Sequence, residues 1–109
     1  MSYKVKTLDI FENQAKRLIK KYVSLKSELF QLVSQLKEEP KHGTAIGKNC
    51  YKIRISISSK GKGKSGGARI ITNIVIKDET VYLLSIYDKS DKENLTDKEL
   101  DELLKNIPD

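Results

Sequence analysis

Apolar residues recur along the first half of this chain with two different periods. Between residues 9 and 36 they return every three or four positions, which predicts two amphipathic helices joined near Ser24. Between residues 51 and 57 apolar and polar residues alternate strictly, which predicts a strand with Lys52 and Arg54 on its polar side. The apolar helical positions are Phe11, Ala15, Leu18, Ile19, Tyr22, Leu25, Leu29, Leu32, Val33 and Leu36.

The remaining strands are shorter and are set apart by turn-forming residues. Residues 2–7 alternate and predict a short, half-buried strand. Residues 68–77 and 81–88 are rich in β-branched and aromatic residues, and the acidic turn at 78–80 joins them into a hairpin.

The C-terminal region carries a helix start signal. Thr96 precedes Glu99 by three residues, the spacing of a capping box, and the apolar pattern continues through Ile107. The predicted order is therefore β-α-α-β-β-β-α. It favours an α+β fold, a small twisted antiparallel sheet with a helical hairpin and a C-terminal helix packed on one face. At 109 residues the chain is expected to be one domain, 1–109.

Positive charge is concentrated in the middle of the chain. The formal net charge is +6, yet no acidic residue occurs between Glu39 and Asp78, where nine basic residues lie. The rest of the chain has 12 basic and 15 acidic residues, so all the excess charge is central. Such a segment favours a polyanionic partner, of which nucleic acid is the commonest, over a solvated basic face without a partner.

Composition excludes several other classes of protein. The single Cys50 cannot form an intramolecular disulfide, and no Cys/His cluster offers a metal site. No apolar stretch has the length of a membrane span or the character of a secretory signal. We therefore expect a cytoplasmic protein without a cofactor, a metal or a membrane partner.

The segment SSKGKGKSGGARIITNIVI contains two apparent nucleotide-binding motifs. Its letters include G-x-G-x-x-G and G-K-S, but Ser58 stands where a phosphate-binding loop needs its first glycine. The following residues predict a strand rather than the helix that both motifs require. Both nucleotide interpretations therefore fail. A lysine-rich connection between two strands remains, whose cations could converge with those of the preceding strand; the cations are Lys52, Arg54, Lys60, Lys62, Lys64 and Arg69.

Three blocks of the sequence resemble the RelE/ParE superfamily of toxins, and most closely its HigB-like branch. They are YKIR at 51–54, KGKGKSGGARII at 60–71 and VYLLSIYDK at 81–89. The resemblance covers nearly the whole chain. It implies a RelE-like, microbial-ribonuclease-type fold and a toxin of a type II toxin–antitoxin system. It also implies an mRNA interferase, an endoribonuclease that cuts mRNA in the ribosomal A site, with the ribosome and a cognate antitoxin as partners.

The resemblance also implies the residues of the site. The catalytic candidates are Arg69, Lys64, Lys62, Lys89 and Arg54, and the RNA-binding candidates are Lys52, Lys60, Tyr87 and Lys92. The implied reaction is metal-independent attack of a ribose 2′-OH on the adjacent phosphate, whose added negative charge the cations would stabilise. The family's tyrosine after the last strand aligns near Leu95, so Tyr87 is the nearest phenol and could stack on a base.

Two alternatives from other functional classes stay open. A ParE-like toxin would share the fold but act on DNA gyrase without nuclease activity, and it would not need convergent cations. A catalytically inactive RNA-binding module would bind RNA with strong salt dependence and leave it intact.

Overall fold

A five-stranded mixed sheet organises the chain in the computed structural model, which describes residues 2–60, 66–92 and 94–108. The strands are β1 (Lys4–Thr7), β2 (Thr44–Gly47), β3 (Cys50–Ile55), β4 (Ala68–Val75) and β5 (Thr80–Asp88). The helices are α1 (Asp9–Lys21), α2 (Leu25–Glu38) and α3 (Asp97–Leu104). The strand order is β1-β5-β4-β3-β2; β1 runs parallel to β5, and the other three pairings are antiparallel.

Each face of the sheet carries its own hydrophobic cluster. Because side chains alternate along a strand, Ile70 and Ile86 lie on one face with the helical hairpin α1–α2. Ile71 and Leu84 lie on the other face with Leu100 of α3. We call these the hairpin face and the α3 face. The two central strands, β4 and β5, are buried along almost their whole length because both faces are covered.

The open edge of β5 is closed by a glutamine of α1. β1 pairs with β5 only as far as Leu83, so the backbone beyond it lacks a strand partner on that side. Gln14 takes over this role: its Oε1 accepts hydrogen bonds from the Ile86 backbone N–H and from the Ser85 hydroxyl, both at 3.0 Å. A buried backbone donor is thereby satisfied, which stabilises the strand end that leads into Tyr87 and Asp88.

The predicted fold class, helices and major strands are confirmed. The capping box of α3 forms as expected, since the Glu99 backbone N–H donates to Thr96 Oγ1 and the Thr96 N–H donates to Glu99 Oε1. The predicted strand at 51–57 ends at Ile55, and that at 68–77 ends at Val75.

Three details of the prediction are wrong. The predicted order lacks β2, which forms a hairpin with β3 through Lys48 and Asn49, both at positive φ, as a two-residue hairpin turn requires. The sheet is not wholly antiparallel, because β1 pairs in parallel with β5. The chain between them includes both helices of the hairpin and the strands β2, β3 and β4, which is far more than a parallel pairing needs. The helices do not share one face: α3 covers apolar residues that the hairpin face cannot accommodate.

Gly67 leaves less room for a side chain than Gly43 or Gly47. A Cβ there would lie 1.9 Å from the carbonyl oxygen of Ile55 in β3, a contact that requires backbone movement. We predict that Gly67→Ala lowers the free energy of unfolding by about 3 kcal/mol, the upper range for overpacking, in urea denaturation. The matched control is Gly47→Ala, where a Cβ meets no atom within 4 Å but φ is +93°. That variant should lose only about 1 kcal/mol, and equal losses would contradict the steric account.

Candidate nucleic-acid interface

Two arginines and a tyrosine lie side by side on the α3 face, one on each of three neighbouring strands. In the strand register Arg54 of β3 is opposite Arg69 of β4, and Arg69 is opposite Tyr87 of β5. Directly opposed side chains in antiparallel strands point to the same face, with Cβ atoms about 5 Å apart. We call Arg54, Arg69 and Tyr87 the cross-strand row.

Exposure decreases along the row from β3 to β5. Arg54 is exposed, whereas Arg69 retains 4% and Tyr87 retains 8% of its accessible surface. The Arg69 guanidinium donates from Nη1 to the backbone oxygen of Ala68 at 3.2 Å. The row therefore offers one accessible cation beside a second cation that is held inside the protein.

The Tyr87 hydroxyl is buried and has no hydrogen-bond partner among the described residues. Burial raises the pKa of this phenol, and the positive charge of Arg69 offsets that effect only in part. Tyr87 therefore keeps its proton at neutral pH. Its ring exposes little surface on which a base could stack, so the predicted stacking role stays a prediction.

Lys52 and Lys89 are close in sequence to members of the row, Lys52 to Arg54 and Lys89 to Tyr87. Lys52 precedes Arg54 by two residues, so it shares the α3 face, is half-buried and donates to Asn94 Oδ1 at 3.1 Å. Lys89 follows β5 and is also half-buried, and its backbone N–H donates to the Gly67 carbonyl oxygen at 3.1 Å. The side chain of Lys52 and the backbone of Lys89 are thus held by contacts with neighbouring segments.

Lys60 and Lys92 are both engaged in ion pairs. Lys60 forms a buried ion pair with Asp88, which alternation places on the hairpin face, at 2.5 Å. Lys92 pairs with Glu99 of α3. The predicted RNA-binding roles of these two lysines stay predictions. The other two candidates, Lys62 and Lys64, lie outside the described residues.

A cavity of about 370 Å³ adjoins the row at the open edge of β5, between α1 and α3. Gln14, Ser85, Tyr87, Lys92 and Leu103 contribute to its lining. No sequence pattern pointed to this cavity, because its walls come from three elements that are distant in the chain. Tyr87 is the member of the row that contributes to its lining.

The Asp88 carboxylate is a functional group that sequence reasoning missed. Oδ2 accepts from the Tyr22 hydroxyl at 2.9 Å. Oδ1 accepts from Lys60 Nζ at 2.5 Å, from the Ser90 backbone N–H at 2.9 Å and from the Ser90 hydroxyl at 2.8 Å. Burial by itself would raise the pKa of Asp88, but the hydrogen bonds from Lys60, Ser90 and Tyr22 outweigh it and hold the pKa well below its usual range. The sequence feature that could have indicated this role is an acidic residue at the end of an otherwise uncharged strand.

The described residues form neither a metal site nor a membrane span. Within residues 2–60, 66–92 and 94–108, no group of three or more His, Cys, Asp and Glu side chains could hold a metal ion. None of the described helices has the length and apolar character needed to cross a membrane.

Comparison with known proteins identifies relatives of this chain. The model of a protein family described as the RelE toxin of the RelE/RelB toxin–antitoxin system matches residues 8–107. The solved structure of an E. coli RelE toxin carrying two arginine-to-alanine substitutions, in the free state, is 17% identical. That alignment covers 99% of this chain and 100% of that chain, with a TM-score of 0.60.

Two further solved structures are those of complexes. The same E. coli mutant with an antitoxin RelB peptide is 16% identical over 99% of this chain and 100% of that chain, with a TM-score of 0.63. The RelBE2 toxin–antitoxin complex from Mycobacterium tuberculosis is 16% identical over 81% of this chain and 92% of that chain, with a TM-score of 0.57. At these identities the structures establish a shared fold. The HigB-like branch stays a prediction.

Two tyrosine hydroxyls in opposite circumstances give a paired prediction. Tyr87→Phe removes a buried hydroxyl without a partner, so the free energy of unfolding should rise by about 1 kcal/mol. Tyr22→Phe removes the donor to Asp88, so the same quantity should fall by about 1 kcal/mol. Urea denaturation measures both. A loss on Tyr87→Phe as large as that on Tyr22→Phe would show that the Tyr87 hydroxyl has a stabilising partner.

The lowered pKa of Asp88 predicts a specific loss of stability in acid. The folded state holds this carboxyl below the unfolded value of about 3.9. Its contribution is therefore complete above about pH 4 and is lost as the pH falls toward the folded pKa. Denaturation midpoints measured from pH 7 downwards should decline below about pH 4. Asp88→Asn should lower the free energy of unfolding at pH 7 by about 3 kcal/mol, because Lys60 loses its counter-ion. The stability of this variant should also depend less on pH below 4. An unchanged acid profile in Asp88→Asn would contradict this assignment.

Proposed function

The chain belongs to the RelE family of toxins of toxin–antitoxin systems, and we propose that it is a ribosome-dependent endoribonuclease that cuts mRNA in the ribosomal A site. The family supports this activity, since RelE toxins in general are endoribonucleases. The observation on this chain that carries the proposal is the cross-strand row, Arg54, Arg69 and Tyr87. Inhibition of translation in the cytoplasm follows from that activity.

The two arginines suit the electrostatic part of the reaction. A guanidinium is permanently charged and presents a planar set of donors that matches the oxygens of a phosphate. Attack of a ribose 2′-OH on the adjacent phosphate adds negative charge to its oxygens in the transition state. Arg54 can approach the RNA because it is exposed, while Arg69 is held in place beside it and needs little reorganisation.

Tyr87 suits the proton-donating part of the reaction. Its phenol stays protonated at neutral pH because burial raises its pKa. A protonated group next to Arg69 can donate to the 5′-oxygen that leaves when the phosphodiester breaks, while the attacking 2′-hydroxyl gives its proton to water. The Tyr87 hydroxyl is buried in the free protein, so this role requires RNA binding to open the contacts that cover it.

A cognate antitoxin is the proposed protein partner. Solved structures of the E. coli and M. tuberculosis relatives contain RelB antitoxins or a RelB peptide. We propose that an antitoxin neutralises this chain by covering the basic surface around the row. An acidic segment would be steered there by charge complementarity.

The test is induced expression in a bacterial host with primer-extension mapping of mRNA ends. The wild type should arrest growth and produce new ends within translated reading frames. Arg54→Ala should reduce cleavage about 100-fold, because one preorganised donor to the transition state is lost. Arg54 is exposed, so its removal should leave the fold intact. The matched control is Arg17→Ala, which removes an exposed arginine of α1 and should leave cleavage unchanged.

Other outcomes would identify the alternatives. Growth arrest without new mRNA ends would contradict the nuclease and favour a gyrase-directed toxin. Salt-dependent RNA binding without cleavage or arrest would indicate an inactive RNA-binding module. Arg69→Ala is informative only alongside a thermal melt, because this side chain is buried and its loss affects packing.

A further inference from the structure

The Asp88 carboxylate joins four separate parts of the molecule. It stands at the end of β5 and is fully buried, with 0% of its side chain exposed. Its hydrogen-bond partners are Tyr22 at the end of α1, Lys60 after β3 and Ser90 after β5. The Asp88 backbone oxygen also accepts from the N–H groups of Asp91 and Lys92, which shapes the turn that follows β5.

Lys60 is held in this cluster by more than its ion pair. Its side chain is 10% exposed, and its ammonium lies 5.5 Å from the centre of the Tyr22 ring. The residues just before it are also tied down: Ser58 donates from N–H and hydroxyl to Glu28 Oε2, both at 2.8 Å, and the Ser59 N–H donates to the Ser24 hydroxyl. An ammonium in such a position has little freedom to reach a phosphate.

We propose that Asp88 is a positioning residue that fixes the turn 89–92, which carries Lys89, against the segment 56–60, and that Lys60 serves this carboxylate rather than RNA. Lys60 is the residue of segment 56–60 that bonds Asp88, which directly precedes the turn. The Lys89 N–H bonds Gly67, which places the turn beside the start of β4. The positioning role rests on the proposed function, because it concerns the cations that would contact the RNA.

The chemistry of the pair separates the two possible roles of Lys60. A lysine that contacts phosphate releases counter-ions on binding, so its removal lowers the salt dependence of RNA affinity. A lysine that neutralises a buried carboxylate contributes nothing to that dependence. Removing such a lysine instead leaves an uncompensated buried charge, and that defect is relieved when the carboxylate is neutralised as well.

The experiment is a double-mutant cycle with Lys60→Gln, Asp88→Asn and both substitutions together. An asparagine keeps the shape of Asp88 and can accept from the Ser90 N–H, and a glutamine at 60 can bond to it without charge. The affinity for a short fluorescein-labelled single-stranded RNA is measured by anisotropy at several KCl concentrations. Urea denaturation of each variant reports the coupling between the two positions.

We expect each single variant to lose stability and RNA affinity, and the double variant to recover RNA affinity to within about twofold of the wild type. The slope of log affinity against log salt should be the same in the wild type and the double variant. The matched control, Lys52→Gln, should make that slope shallower by about 0.7. Recovery in the double variant is a result that loss of a phosphate contact cannot produce.

Two outcomes would overturn the proposal. If the double variant binds RNA as weakly as Lys60→Gln, with a shallower salt slope, Lys60 contacts phosphate. If the amide NMR signals of Lys89 and Ser90 do not move in Asp88→Asn, the carboxylate does not fix the turn. This second readout needs neither RNA nor cleavage. A wild type that neither binds nor cuts RNA would therefore refute the proposed function while leaving the positioning role testable.

Discussion

The structure depends on two adjacent strands, β4 and β5, that are buried on both faces. A strand covered on one face needs apolar residues at every second position, whereas these strands need them at nearly every position. The chain must therefore supply helices for both sides of the sheet, the hairpin α1–α2 for one and α3 for the other. Among the polar side chains of these strands, Asn73 and Asp88 have specific partners, whereas the buried Tyr87 hydroxyl has none among the described residues.

This constraint explains which parts of the fold the sequence could predict. α1, α2 and β3 each bury one side, so the period of their apolar residues gives their type and their approximate position. All of β2 is exposed, so its sequence shows no alternation of apolar and polar residues. The strand forms because a turn with two residues at positive φ pairs it with β3. Periodicity also carries no information about pairing partners. The parallel pairing of β1 and the side on which α3 packs therefore had to come from the three-dimensional structure.

The candidate site was predictable in part for the same reason. Alternation placed Lys52 and Arg54 on one face, and position placed Arg69 at the head of the next strand. The register between strands was needed to bring Tyr87 beside Arg69. The burial of Lys60 could not be predicted, because the alternating pattern ends before this residue. A lysine next to glycines can be solvated or buried, and the sequence does not distinguish the two. Its ion pair depends on Asp88, which is 28 residues away in the chain.

Arg69 and Tyr87 are unusual residues for a sheet interior, and their presence there is an argument for function. A buried hydroxyl without a partner destabilises a protein by about 1–3 kcal/mol, and a buried cation needs compensating interactions. Leucine or isoleucine at position 87 would satisfy the same packing, as they do at Leu84 and Ile86 next to it. Local rules are broken in this way mainly at functional sites, where activity and stability make opposite demands.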